Sequence, residues 1–285
     1  MPRLRARGFD VHAVSAGPVD ELGAGWHQCD LLDPVASERL VRKIRPTHLL
    51  HLAWIAEPGV FWQSPLNRKW LAASVALIES FYEAGGRRVV AAGSCAEYAA
   101  SASPHVEDTT PTVPDTLYGH AKAATYFALR AAAHGRGGWA WMRLFFPYGP
   151  GEPAARFIPA AINALIRGQK LDCTSGTQVR DFIHVRDVAE ACAVLLDTDL
   201  NGIFNVGSGN ACTLREVGAL IAAEVGAEGL LRFNAREAPA HDRPYVVADM
   251  SKMLNQLGWK PQLALSEGIR ITVAAKRREL GLLSA

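Results

Sequence analysis

Short β-rich runs alternate with longer helical stretches along the first half of the chain, and that alternation leaves few folds open. Residues 10–15 (DVHAVS) and 26–30 (WHQCD) read as strands. Residues 33–44 carry Val35, Leu40, Val41 and Ile44 at helical spacing. Residues 47–53 (THLLHLA) are almost continuously apolar, as a parallel strand covered on both faces would be. A helix is predicted over 66–84, stopped by Gly85 and Gly86. A strand over 88–92, an Ala-rich helix over 118–133 and a buried strand over 139–146 (WAWMRLFF) follow. Strand, helix and strand in repetition give an α/β fold on a parallel sheet with right-handed crossovers. Gly and Pro then cluster at 148–153, a loop leaving the sheet. Beyond it, helices are expected near 156–168, 186–197, 213–225 and 265–280.

The 285 residues suffice for a nucleotide-binding domain and a smaller partner domain. A formal net charge of +2, with no concentrated basic patch, predicts neither a nucleic-acid nor a membrane-surface partner. No apolar run is long enough to span a bilayer, and the basic start lacks the apolar stretch of a secretory signal. Five scattered cysteines without a CxxC pair predict no disulfide framework and no metal site, and reduced thiols in a cytoplasmic protein.

The chemistry is carried by Tyr118-Gly119-His120-Ala121-Lys122. Four-residue spacing puts tyrosine and lysine on one helix face, one turn apart. A free tyrosine, with a pKa of about 10, is a poor base near neutrality. An adjacent ammonium favours the phenolate, which can then exchange a proton with a substrate hydroxyl. The motif alone is weak, since a surface lysine near a half-buried tyrosine gives the same pattern. Context strengthens it. The strand at 88–92 runs into Gly93-Ser94-Cys95-Ala96-Glu97-Tyr98, and α/β sheets place ligands at the C-terminal ends of their strands. Ser94 is therefore placed to bond the same substrate oxygen as Tyr118.

The succession GSCAEY (93–98), YGHAK (118–122), RLFFPYGP (143–150), RDFIHVRD (180–187), FNVGSG (204–209) and LGWKP (257–261) is similar to the NAD-dependent epimerase/dehydratase branch of the extended short-chain dehydrogenases. The resemblance implies a Rossmann-type doubly wound parallel sheet with a smaller C-terminal α/β substrate domain. Residues 1–149, rejoined by 178–206, would bind NAD or NADP, and 150–177 with 207–285 would bind a nucleotide-activated sugar. It implies catalytic roles for Ser94, Tyr118 and Lys122, the last two also touching the cofactor. Ser15, Asp30, Leu31, Leu52, Ala53 and Phe145 would complete the cofactor site. Phe146, Arg156, Arg180 and Arg243, with Ser94, would face the substrate, the arginines gripping phosphate oxygens. A homodimer through the helices at 66–84 and 118–133 carries over by analogy.

The sequence departs from that family in several places. The family opens with a strand, a GxxGxxG turn and a helix, whereas residues 4–11 resemble the end of that helix running into the second strand. About 20 residues of the pattern are not in this sequence, including the central strand and the glycines that admit the pyrophosphate. A start placed too late, a shortened chain and a decayed or repurposed protein all give that picture. Weak NAD(P) binding and a gap between two buried strands are the expectations. Cys95 and Ala96 stand where dehydratases carry an acid and a base, which argues against 4,6-dehydration. Phe146 replaces an asparagine. Ser15 lacks the charge that would repel a 2′-phosphate, but 16–18 carry no arginine to attract one, so the reading leans only slightly to NADP. Epimerase and 4-keto-sugar reductase both remain open, with a non-catalytic Rossmann-fold binding or regulatory protein as the rival. His48, His51, His120 and His184 are read as structural.

Overall fold

The computed structural model describes residues 1–18, 25–238 and 242–282. In chain order the elements are α1 (Pro2–Arg5), β1 (Ala13–Ser15), β2 (Trp26–Gln28), α2 (Pro34–Ile44), β3 (His48–His51), α3 (Leu66–Glu83) and β4 (Arg88–Ser94). A single 3-10 turn (Cys95–Glu97) precedes α4 (Leu117–Ala133), β5 (Gly138–Leu144), β6 (Phe146–Tyr148), α5 (Phe157–Ile166), β7 (Leu171–Asp172), β8 (Val179–Arg180) and β9 (Phe182–His184). Then come α6 (Val185–Leu196), β10 (Gly202–Val206), β11 (Cys212–Thr213), α7 (Leu214–Val225), β12 (Leu231–Arg232), β13 (Tyr245–Val246), α8 (Ser251–Leu257) and α9 (Leu265–Glu279).

These elements form two compact units. The first comprises Met1–Ala99, Pro111–Arg143 and Ala189–Phe204; the second comprises Ala100–Thr110, Leu144–Val188 and Asn205–Ala285. The division falls after Arg143 rather than after 149, and the segment 178–188 lies in the second unit, which takes in more of the chain than the sequence reading gave it. The physical reason is a break in the strand predicted over 139–146. It divides into β5, which joins the sheet of the first unit, and β6, which pairs in parallel with β9, Phe146 opposite Phe182.

The first unit is a Rossmann-type α/β layer built on the sheet order β10-β5-β4-β3. β3 and β4 are parallel, with His48 opposite Arg88 and His51 opposite Ala91. β4 is buried at every position, as a strand covered on both faces must be. Its Val89 and Ala91 pack with Val41 of α2, Ile78 and Phe81 of α3, Leu129 of α4 and Trp141 of β5. Local signals set the helix starts. Asp33 caps α2 by accepting the Val35 and Ala36 N–H groups at 3.0 and 3.1 Å, with proline in the first turn.

β1 and β2 form a separate parallel pair, Ala13 opposite Trp26. Among the described residues β1 pairs only with β2, and β3 only with β4. The expectation that 47–53 is covered on both faces is therefore corrected: in β3 only His51 is buried, and Leu49 and Leu50 keep partial exposure. The turn after α1 is tied to α6 by Arg7, which bonds Glu190 at 2.8 Å and, just past the helix, Asp197 at 2.9 Å.

In the second unit β8 lies between antiparallel β11 and parallel β13, and β7 pairs with β12. Helices α5, α7 and α9 enclose Ile158, Ile162, Leu165, Val217, Ile221, Ile269 and Val273. A Thr213–Glu216 capping box starts α7, and Gly226 in the left-handed conformation ends it. α8, seven residues with only Met253 buried, is too short to show a helical period in the sequence.

Candidate active site

At the end of β4 the Ser94 hydroxyl accepts the Ala96 N–H at 3.2 Å, and the Glu97 side chain reaches back to the Ser94 N–H at 2.7 Å. This is a capping box closed around a single turn. The Glu97 carboxylate also accepts Trp141 Nε1 and Arg143 Nε, each at 3.0 Å. The Arg143 guanidinium lies 4.1 Å from the Tyr98 ring centroid and donates to Thr112 at 2.8 Å. Burial opposes the charge on Arg143, but Glu97 and Tyr98 together offset it and hold the guanidinium above its ordinary pKa. A Cβ at Gly93 would overlap both the Trp141 indole nitrogen and the Glu97 carboxylate, so this corner requires glycine.

The first turn of α4 sits on this structure. Thr116 caps the helix by accepting the Gly119 N–H at 3.1 Å, and Gly119 packs so closely on the Ala96 carbonyl that a side chain there would overlap it. Two further N–H groups of that turn bond the segment between β3 and α3: Tyr118 to the Trp62 carbonyl at 3.0 Å and Leu117 to Gln63 Oε1 at 3.2 Å. The Tyr118 ring meets Phe61 and Trp62 edge-on, with centroids at 4.8 and 5.8 Å.

One turn further, Lys122 is buried, and its Nζ donates to the Ala92 carbonyl at 2.7 Å. The same nitrogen lies 3.9 Å from the centroid of the Trp54 ring and 5.9 Å from that of Tyr118. Burial lowers the Lys122 pKa to about 7, with Glu97 opposing the shift. Ser94 thus closes β4, Lys122 bonds the carbonyl of Ala92 two residues before it, and Tyr118 lies one turn back along α4 from Lys122. His120 points outward and is exposed. His51 is buried against the Ser74 hydroxyl at 2.8 Å, and His48 packs on Phe9.

The residues assigned to the cofactor in this unit follow the C-terminal ends of parallel strands. Ser15 closes β1, and its hydroxyl accepts the Gly17 N–H at 3.2 Å. Asp30 and Leu31 follow β2, with Asp30 Oδ1 accepting the Leu32 N–H at 2.9 Å. Leu52 and Ala53 follow β3, and Leu52 is 51% exposed. An ammonium has three donors, so Lys122 has capacity beyond Ala92 for a ribose hydroxyl. In this set the Lys122 ammonium and the Ser15 hydroxyl can donate and the Asp30 carboxylate can accept, the chemistry that the ribose hydroxyls of a dinucleotide would need. Phe145 belongs to the second unit, where it is buried edge-on to His105.

The second unit holds the arginines. Arg180 bonds the Val179 carbonyl at 2.9 Å, forms an ion pair with Asp242, and lies 5.3 Å from the Phe146 ring centroid. Gln178 also donates to Asp242, at 2.9 Å. Arg156 pairs with Glu152 at 2.8 Å, and burial pushes the Glu152 carboxyl up to about 7. Arg243 lines a pocket of about 590 Å³ with Ser101, Thr177, Val179 and Tyr245. Sequence reasoning missed Asp181, whose buried carboxylate accepts N–H groups from Ser208, Gly209 and Ala248 at 2.6 to 3.1 Å. It also missed Trp54 and Arg143. Among the described residues no group of His, Cys, Asp and Glu could hold a metal ion, and the five cysteines are free.

A parallel α/β layer whose fourth strand ends in serine, followed by a tyrosine and a lysine one helical turn apart, is the pattern of the short-chain dehydrogenase class. Residues 1–207 match the model of the NAD dependent epimerase/dehydratase family, and the chain belongs to that family. It is 28% identical to a UDP-glucose 4-epimerase of Azospirillum brasilense, over 94% of this chain and 86% of that protein. It is 27% identical to a dTDP-4-dehydro-6-deoxyglucose reductase of Escherichia coli, over 69% and 64%. The UDP-glucose 4-epimerase of Thermus thermophilus, solved in complex with NAD, superimposes with a TM-score of 0.87 at 27% identity, covering 97% of this chain and 94% of that one.

Proposed function

We propose that this chain is an NAD-dependent epimerase acting at a secondary hydroxyl of a nucleotide-activated sugar. Ser94 at the end of β4, with Tyr118 and Lys122 one turn apart on α4, carries that reading. Ser94 bonds the reacting oxygen. The Tyr118 phenolate takes the hydroxyl proton as hydride leaves the same carbon, and returns it when hydride comes back to the other face. Lys122 favours the phenolate by its charge and bonds the nicotinamide ribose. NAD, when bound, supplies the hydride acceptor and donor; Ser15, Asp30, Leu31, Leu52 and Ala53 would hold its adenosine side. NAD is chosen over NADP because the Thermus relative was solved with NAD and no arginine follows Ser15.

In the second unit Arg243 and its pocket would take the nucleotide, with Arg180, Arg156 and Phe146 beside the phosphates. Dehydration is disfavoured, because Cys95 and Ala96 carry no suitable acid or base and Glu97 is engaged by Arg143. The similarity to the Escherichia coli reductase supports reduction of a 4-keto sugar as a second reading. A homodimer through α3 and α4 is also proposed, with Phe127 exposed on α4.

The test supplies NAD with UDP-glucose, UDP-galactose and their dTDP counterparts, and follows both the epimer ratio and the absorbance of reduced nicotinamide. An epimer forms without net absorbance change if the first reading holds; in a parallel reaction given NADH and a 4-keto nucleotide sugar, net oxidation of NADH supports the second. No turnover, together with no dinucleotide binding, overturns both in favour of a non-catalytic protein.

A further inference from the structure

The segment between β3 and α3 reaches both members of the tyrosine–lysine pair. Trp54 lays its indole face on the Lys122 ammonium at 3.9 Å, and Trp62 supplies the carbonyl that accepts the Tyr118 N–H at 3.0 Å. One residue ties the two ends of this segment together. Asn67, fully buried, accepts Trp54 Nε1 at 2.8 Å and donates to the carbonyls of Phe61 at 2.6 Å and Ser64 at 3.0 Å. Trp70, one turn along α3, stacks on Trp54 with centroids 6.1 Å apart and planes at 28°. The indole is therefore fixed in place and orientation.

We propose that Trp54 is a positioning residue whose ring face keeps the buried Lys122 ammonium charged and aimed, and thereby sets the pH range over which Tyr118 acts as a base. The inference rests on reading Tyr118 and Lys122 as the reacting pair. An ammonium removed from water loses its hydration, and the negative face of an indole replaces part of it without bringing a second titrating group. The groups facing Lys122 leave that role open. On the β3 side stands His51, held neutral because burial lowers its pKa to about 3. On the 3-10 turn stands Glu97, which favours the charged lysine but is itself engaged by Arg143. On α4 stands Tyr118, and from β4 comes the neutral Ala92 carbonyl. Trp54 is the aromatic face that meets the nitrogen most closely in this set.

The ring series supplies the test, because indole binds a cation more strongly than phenyl and an alkyl chain does not bind it in this way. In the full-length chain labelled with 15N-lysine, the Nζ signal of Lys122, assigned by its loss in Lys122→Met, is titrated in the parent, in Trp54→Phe and in Trp54→Leu. The midpoint is expected to fall in that order, by about one pH unit between parent and Trp54→Leu. The alkaline limb of turnover with NAD and the active sugar nucleotide moves by the same amount, and Trp54→Phe restores most of the loss. An unmoved Lys122 midpoint in a folded Trp54→Leu protein overturns the proposal; should that variant not fold, an unmoved midpoint in Trp54→Phe overturns it. The titration needs no substrate, so a shifted midpoint without turnover on any sugar nucleotide counts against the proposed activity and leaves the role of Trp54 standing.

Discussion

Arg143 donates its Nε to Glu97 at 3.0 Å, and neither side chain has any exposed surface. A buried pair of this kind contributes little net stability against apolar residues of the same volume, but breaking it leaves one charge stranded. Arg143→Met leaves the buried Glu97 carboxylate without its counter-charge and is expected to cost about 3–5 kcal/mol. Urea denaturation checks this. A loss below about 1 kcal/mol would mean that Glu97 is protonated or solvated there and that the ion pair is not the feature holding the corner.

Gly93 gives a sharper probe of the same corner. A methyl group at this position overlaps the Trp141 indole nitrogen and the Glu97 carboxylate. Gly93→Ala must displace one of them and is expected to lower stability by about 1–3 kcal/mol, the usual range for overpacking. Ser94 is the next residue, so turnover should fall more than the stability loss explains at temperatures where the variant stays folded. Thermal melting beside kcat at 25 °C, well below the melting point, separates the two effects.

The glycine and capping signals explain how much of this site was legible in the sequence. The strand β4 and the helix α4 followed from strand and helix periods, and the shared helix face of Tyr118 and Lys122 followed from their four-residue spacing. Those are local rules. Glu97 and Arg143 escaped because their partnership spans 46 positions and no local pattern reports it. Trp54 escaped for the same reason, since its contact with Lys122 crosses from the end of one strand to a helix. The predicted strand over 139–146 failed because apolar periodicity marks burial and does not say which sheet a residue joins; the break at Phe145 is decided by β9.

Lys122 carries a stability cost whose pH dependence has a definite sign. Its folded pKa, about 7, lies below the ordinary lysine value of 10.5, so between those two values the unfolded chain binds more protons than the folded one. Stability from this group therefore rises with pH from about 7 to about 10.5, and is lowest below 7, where the buried amine must stay charged. Lys122→Met removes both the cost and the slope. The variant is expected to be more stable than the parent at pH 6.5, by about 2–4 kcal/mol, and to lose turnover. Guanidinium denaturation at pH 6.5 and 9 checks it; a parent and variant that differ equally at both values would show that Lys122 does not titrate in this range.

Asp242 engages Arg180 in an ion pair and also accepts Gln178 Nε2 at 2.9 Å, so the guanidinium proposed to meet the substrate phosphates already has an anion. A diphosphate arriving there competes with that carboxylate for the same fork of N–H donors and is repelled by its charge. Asp242→Asn keeps the shape and an acceptor for Gln178 while removing the competing charge. Affinity for UDP should then rise by about three- to tenfold, with the gain shrinking as salt is added. Arg180→Met should weaken UDP binding, and in the Arg180→Met background Asp242→Asn should no longer add a comparable gain. Calorimetric titration of the four proteins decides the matter. Equal gains with and without Arg180 would show that Asp242 acts on the ligand by its field alone and that Arg180 does not hold the phosphates.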